Sequence, residues 1–117
     1  MNTFCKVILQ GVVTEVSTSV IHGTAVNGKV AARMSVQTSY EVKDEYGKTA
    51  YMENAWHDIH AESTEKISAE DLLSIKKGFL INVEGRLKYN VTCDDGNVVK
   101  LNPQIVAEKL VIKNTIN

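Results

Sequence analysis

The sequence predicts an all-β fold, a small Greek-key barrel of five strands with one short helix between strands 3 and 4. Three observations carry this reading. Five segments are β-branched or alternate apolar with polar residues, and a single segment carries helix start and stop signals. The length of 117 residues, 44% hydrophobic and 23% charged, suits one packed domain and hardly two. That hydrophobic share also excludes wholesale disorder. The formal charge is −1, from 13 basic and 14 acidic residues. So even a balance argues against a chain that coats nucleic acid by charge alone.

The first strand is read over Lys6–Val13, a β-branched run with Gly11 at a bulge or sharp bend. The second is Val30–Val42, where Met34, Val36 and Thr38 alternate with Arg33, Ser35 and Gln37 as a half-buried sheet requires. Asp44-Glu45-Tyr46-Gly47 is a hairpin turn, and Thr49–Ala61 is the returning strand. On that strand Ala55, His57, Ile59 and Ala61 face one way, and Asn54, Trp56, Asp58 and His60 the other. Ser68 is the predicted helix cap, with Glu70 and Asp71 in the first turn and Leu72, Leu73 and Ile75 on the apolar side. Lys76 and Lys77 are placed in the last turn and Gly78 at the stop, a helix of about two to three turns. Phe79–Lys88 alternates again as the fourth strand. Asp94-Asp95-Gly96-Asn97 is a turn cluster, and Val98–Ile112 is the last strand, interrupted near the one proline, Pro103. This order of elements is that of the OB fold. A β-sandwich needs no such helix, and a doubly wound sheet needs several more.

The domain is set at residues 1–113, leaving 114–117 as a short end. The N-terminus has Lys6 inside its first apolar run and no cleavage site after it, so no signal peptide is expected. No apolar stretch approaches the roughly 20 residues of a spanning helix, and no membrane partner is expected. Cys5 and Cys93 lack any CxxC spacing and are read as reduced, buried or half-buried thiols of a cytosolic protein.

The run Ile75-Lys76-Lys77-Gly78-Phe79-Leu80-Ile81-Asn82-Val83-Glu84-Gly85-Arg86-Leu87 resembles the signature L-x-K-G-x-x-V-x-V-E-G-R-L of bacterial single-stranded DNA-binding proteins. Lys6-Val7-Ile8-Leu9-Gln10-Gly11 resembles their opening N-K-V-I-L-x-G. Gly28–Thr38 resembles their strand G-T-A-V-A-N-F-S-L-A-T, Trp56-His57 their E-W-H-R core, and Ile105–Ile112 their closing strand. The likeness is collinear over nearly the whole chain. It implies an OB-fold subunit, assembled as a homotetramer or a dimer, that wraps single-stranded DNA in replication, recombination and repair. It implies no enzyme and no cofactor, replication proteins as further partners, and a cytoplasmic, nucleoid-associated place, in a bacterium or a mobile element.

The departures from that pattern matter as much. Val42 stands where the family places a tryptophan, with Tyr40 two residues away on the same face. Asp58 stands where it places a base, Glu62 where it places an aromatic residue, and Thr92 where it places the tryptophan of the last hairpin. The chain ends Lys113-Asn114-Thr115-Ile116-Asn117, so the family's acidic tail, and recruitment through it, is not expected.

Trp56 is the first candidate for base stacking, worth ~1–3 kcal/mol per base. Tyr40 and Tyr89 are further candidates, and Tyr46 and Tyr51 flank the hairpin. Lys6, Arg33, Lys43, Lys48, Arg86 and Lys88 form the candidate phosphate track. His57, on the apolar parity, is assigned to the core or a subunit interface. Asp58, His60 and His22 lack zinc spacing, so no metal site is expected. Charge is uneven: Tyr51–Ile75 holds one lysine against six acids, a net −5, whereas the chain from Lys76 onward is +3. The second reading of this sequence is an OB-fold interaction subunit of a replication assembly, of the primosomal type, with little or no DNA binding.

Overall fold

Five strands close into a barrel in the order β1-β2-β3-β5-β4 in the computed structural model, which describes residues 3–22, 28–93, 96 and 99–114. The elements are β1 (Val7–His22), β2 (Lys29–Lys43), β3 (Thr49–Glu62), α1 (Ala69–Ser74), β4 (Leu80–Cys93) and β5 (Val99–Asn114). This is the predicted architecture. Of the predicted turn at 94–97 only Gly96 lies among the described residues, and the side chain of His22 lies outside them.

Period-two burial explains the strands. Ala32, Met34 and Val36 of β2, Ile59 and Ala61 of β3, and Ile81 and Val83 of β4 point inward and are buried. Strands β3 and β5 pair in parallel through Ile59–Ile105 and His60–Val106, and this pair closes the barrel. Parallel neighbours need a long crossover, which α1 and β4 provide.

Strand β1 runs nine residues beyond its predicted end. It pairs with β4 over Val7–Val12, then with β2 from Val12 to His22. The exchange of partners sits beside Gly11, where a Cβ would press on Val36 Cγ1 at 2.8 Å and on the Gln37 carbonyl oxygen. The register irregularity itself falls between Val13 and Glu15. Beyond Val16, which packs against the core, β1 is exposed from Ser17 to Ile21 and held by its ladder to β2, so burial leaves no alternation there. His22, expected in a loop, ends this strand opposite Lys29.

Helix α1 is also shorter than expected. Ser68 caps it as predicted, its Oγ accepting from Asp71 N at 3.0 Å. Leu72 is fully buried and joins the core with Ile67 and Ile75. The helix stops at Ser74, so Lys76 and Lys77 lie outside it. Tertiary pairing overrides the local signal: Gly78 N donates to Val13 O at 2.7 Å and Val13 N to Phe79 O at 2.9 Å. Joining β1 there forces the chain out of the helix. Gly78, at φ 96°, sits third in the turn closed by Phe79 N to Lys76 O at 3.1 Å, a position that favours glycine. Removing the cap should still be felt. Ser68→Ala is expected to cost about 1 kcal/mol, read as a lower urea midpoint at unchanged slope.

Two ribbons leave the barrel. Strands β2 and β3 remain paired to Lys43–Thr49, past the last β1 partner at Gln37. The predicted turn closes that ribbon, with Asp44 Oδ1 accepting from Tyr46 N at 2.9 Å and Lys48 N at 3.0 Å. Strands β4 and β5 likewise run on to Cys93–Val99. Strand β5 is continuous through Pro103, which pairs with Tyr89 where the ribbon has a free outer edge. A missing N–H is tolerated at such an edge. The cysteines also correct the expectation. Both are free and exposed, because Cys5 precedes β1 and Cys93 lies on a ribbon with no core beneath it.

Candidate nucleic-acid interface

Alternation sorts the predicted site residues onto two surfaces. On the outer face of β2 and β3, Arg33, Ser35, Gln37 and Ser39 lie in register with His60, Asp58, Trp56 and Asn54. Trp56 is 62% exposed there, opposite Gln37. Arg86 and Lys88 occupy the outer face of β4. Tyr40 and Tyr51 lie on the opposite, inward-parity face of the β2–β3 ribbon, together with Val42. Tyr40 thus shares a face with Val42, as predicted, but does not continue the Trp56 surface. Tyr89 belongs to the inward-parity face of the β4–β5 ribbon. There it joins Val91, Val99 and Leu101 in an exposed apolar strip. Tyr46 is exposed in the hairpin turn.

An open groove of about 900 Å³ runs beside Trp56 between β1, β2 and β3. Its charged lining is Arg33 and Lys77 against Glu15 and Asp58. Two cations and two carboxylates leave it electrically balanced.

A hydrogen-bonded belt crosses the outer face from β2 to β4. Arg33 donates through Nε to Asp58 Oδ1 at 3.1 Å and through Nη2 to Oδ2 at 2.9 Å. Gln104 Nε2 donates to Asp58 Oδ2 at 3.4 Å, and Asn90 Nδ2 to Gln104 Oε1 at 3.2 Å. The hydrogen bond and charge of Asp58 raise the Arg33 pKa above its ordinary value, so the guanidinium stays charged. Lys77, Gln104 and Asn90 are additions to the predicted site. Only the tertiary register reveals them, since Asp58 and Gln104 are far apart in the chain.

The other predicted bases divide in two. Lys6 pairs with Glu84 at 2.7 Å, and Lys43 lies 3.8 Å from Glu41. The Lys6 hydrogen bond holds the Glu84 carboxyl below the usual carboxylate range. Among the described residues Lys48, Arg86, Lys88 and Lys77 have no ion-pair partner. His57 is half-buried, with Nε2 2.8 Å from Thr38 Oγ1 across the ribbon. Among the described residues no group of three or more His, Cys, Asp or Glu is arranged to hold a metal ion, and no helix is long and apolar enough to cross a membrane.

Other solved structures share this barrel. An SSB from Plasmodium falciparum, solved in complex with ssDNA, superposes with a TM-score of 0.73 at 19% identity, over 97% of this chain and 98% of that one. The single-stranded DNA binding protein from Thermus aquaticus superposes with a TM-score of 0.67 at 24% identity, over 95% of this chain. A deletion mutant of the Thermus protein gives the same score and identity. The chain spans about half the length of these Thermus proteins, 50% and 51%. At these identities the likeness establishes the barrel fold. No curated protein sequence matches the chain. A family model, described as the single-strand binding protein family, matches residues 4–112. With that match extending over nearly the whole chain, the protein belongs to the single-strand binding protein family.

Proposed function

We propose that this protein binds single-stranded DNA, stacking bases on Trp56 and holding phosphates with the unpaired bases of the outer face, and that it serves DNA replication, recombination or repair without catalysis. The observation that carries this reading is the placement of Trp56. A large aromatic ring stands 62% exposed, beside a groove and cations, on a barrel whose family is shown. Stacking on such a ring is tolerant of base identity, because every base has a π-face. Lys77, Arg86 and Lys88 supply the charge that no carboxylate of the described chain neutralises, and Lys43 and Lys48 extend the track along the hairpin ribbon, while Tyr40 lies on the other face of that ribbon.

Assembly into a homo-oligomer, a tetramer or a dimer, is part of the same proposal. Its support is the strip formed by Tyr89, Val91, Val99 and Leu101, each more than half exposed. Such a strip is the kind of surface that association covers. The neutralised groove favours the second reading, an interaction subunit of a replication assembly.

One titration separates the two. Adding oligothymidine should quench Trp56, the only tryptophan. The plot of log K against log salt should have a slope of about −2, the release expected from some three phosphates on a single strand. Absence of quenching at low salt, with one specific replication protein retained in a pull-down, would select the interaction subunit instead.

A further inference from the structure

A single strand needs a cation for its phosphate and a ring for its base, and Arg33 and Trp56 offer both from neighbouring strands of one face. The cation is already occupied. Arg33 meets both oxygens of Asp58, at 3.1 and 2.9 Å, in the two-pronged geometry that a phosphate would take. Gln104 also donates to Asp58, at the Oδ2 that Arg33 Nη2 contacts, and Asn90 holds Gln104 in turn. The Arg33 and Asp58 side chains are 70% and 32% exposed. Ion pairs so open to water contribute little to stability. The consequence of this one therefore falls on what binds there.

We propose that Asp58 is a built-in competitor of the DNA phosphate for Arg33. The proposal rests on the single-stranded DNA reading. The carboxylate fills the guanidinium fork when DNA is absent. Anchored to Gln104, it remains beside the phosphate path when DNA is present. A phosphate reaching Arg33 must displace a bidentate partner and lie against a negative charge. Affinity then comes from Trp56 more than from Arg33, and binding is less sensitive to salt than the count of basic residues suggests. The balanced charge of the groove, with Glu15 and Asp58 against Arg33 and Lys77, agrees with this.

The test is the titration of a dye-labelled oligothymidine over a series of salt concentrations, with the wild type, Asp58→Asn, Glu15→Gln, Arg33→Gln and the double variant Arg33→Gln/Asp58→Asn. Asparagine keeps the shape of the side chain and can still accept from Arg33 and Gln104, so the fold is retained, as thermal melts would record. Asp58→Asn should bind about three- to tenfold tighter at low salt, with a slope steeper by about 0.7, the contribution of one further phosphate. Glu15→Gln removes a charge from the same groove without touching the fork, and should leave the slope unchanged. In the Arg33→Gln background, Asp58→Asn should not steepen it. If the wild type binds and Asp58→Asn keeps its affinity and slope, the competitor role is overturned while the DNA reading stands. Equal steepening by Glu15→Gln overturns it as well, since any lost charge would then do. Binding by none of the five proteins overturns both.

Discussion

Replacing Trp56 with alanine is expected to weaken single-stranded DNA binding by about 1–3 kcal/mol, roughly 5- to 150-fold in Kd. The ring is mostly in solvent and absent from the barrel core. Its removal should therefore leave the fold intact, so the loss reads as lost stacking. No neighbour can replace it, since Tyr40 and Tyr51 lie on the other face of the ribbon and Tyr89 on the inward-parity face of the second ribbon. With the only tryptophan gone, the measurement is the anisotropy of a labelled oligothymidine. Trp56→Phe should retain most of the binding energy, because a smaller ring still stacks. An unchanged Kd for Trp56→Ala, together with a large loss for Tyr40→Ala, would move the interface to the inward-parity face.

The proposed dependence on one ring follows from what the chain lacks. Val42 and Thr92 carry no aromatic ring, and Asp58 pairs with Arg33, one of the two cations that line the groove beside Trp56. On the proposed reading, what remains is an interface of a single stacking platform and a few scattered lysines and arginines. A near-neutral net charge excludes electrostatic coating but is compatible with such a local site.

The barrel was legible because burial in a sheet leaves a period of two. Met34/Val36 and Ile81/Val83 announce their strands, and both pairs are buried. The Ser68 cap and the Asp44–Gly47 turn were legible because they are local hydrogen-bond chemistry. Features imposed from elsewhere in the chain were not. Past Val16, β1 is exposed and held by its ladder to β2, α1 is cut short by pairing at Val13, and the two ribbons expose residues that alternation assigns to an interior. The Arg33–Asp58 contact joins strands diagonally, where no sequence spacing marks it. The unusual acid at Asp58 was visible, but its partner was not.

The second large effect lies away from the interface. Gly85→Ala is expected to destabilise the protein by about 3 kcal/mol. Gly85 is buried in the middle of the sheet, opposite Val7 of β1 on one side and Ala107 of β5 on the other, next to a register shift. A Cβ there would lie 2.9 Å from the Val106 carbonyl carbon and 3.0 Å from Ala107 Cα, and closer still to the Val106 oxygen. These are backbone atoms, so no side chain can rotate away. Relief requires β4 and β5 to part where Val106 also pairs with His60 to close the barrel. Domain stabilities of about 5–15 kcal/mol make such a loss a substantial fraction of the whole. Gly47→Ala is the control. Nothing lies within 4 Å of its Cβ position, and only the positive φ of 76° opposes the methyl, at about 1 kcal/mol. Urea unfolding followed by far-UV circular dichroism compares the two. Equal midpoints would mean that the sheet yields at Gly85 and that the barrel closes less tightly there than these distances require.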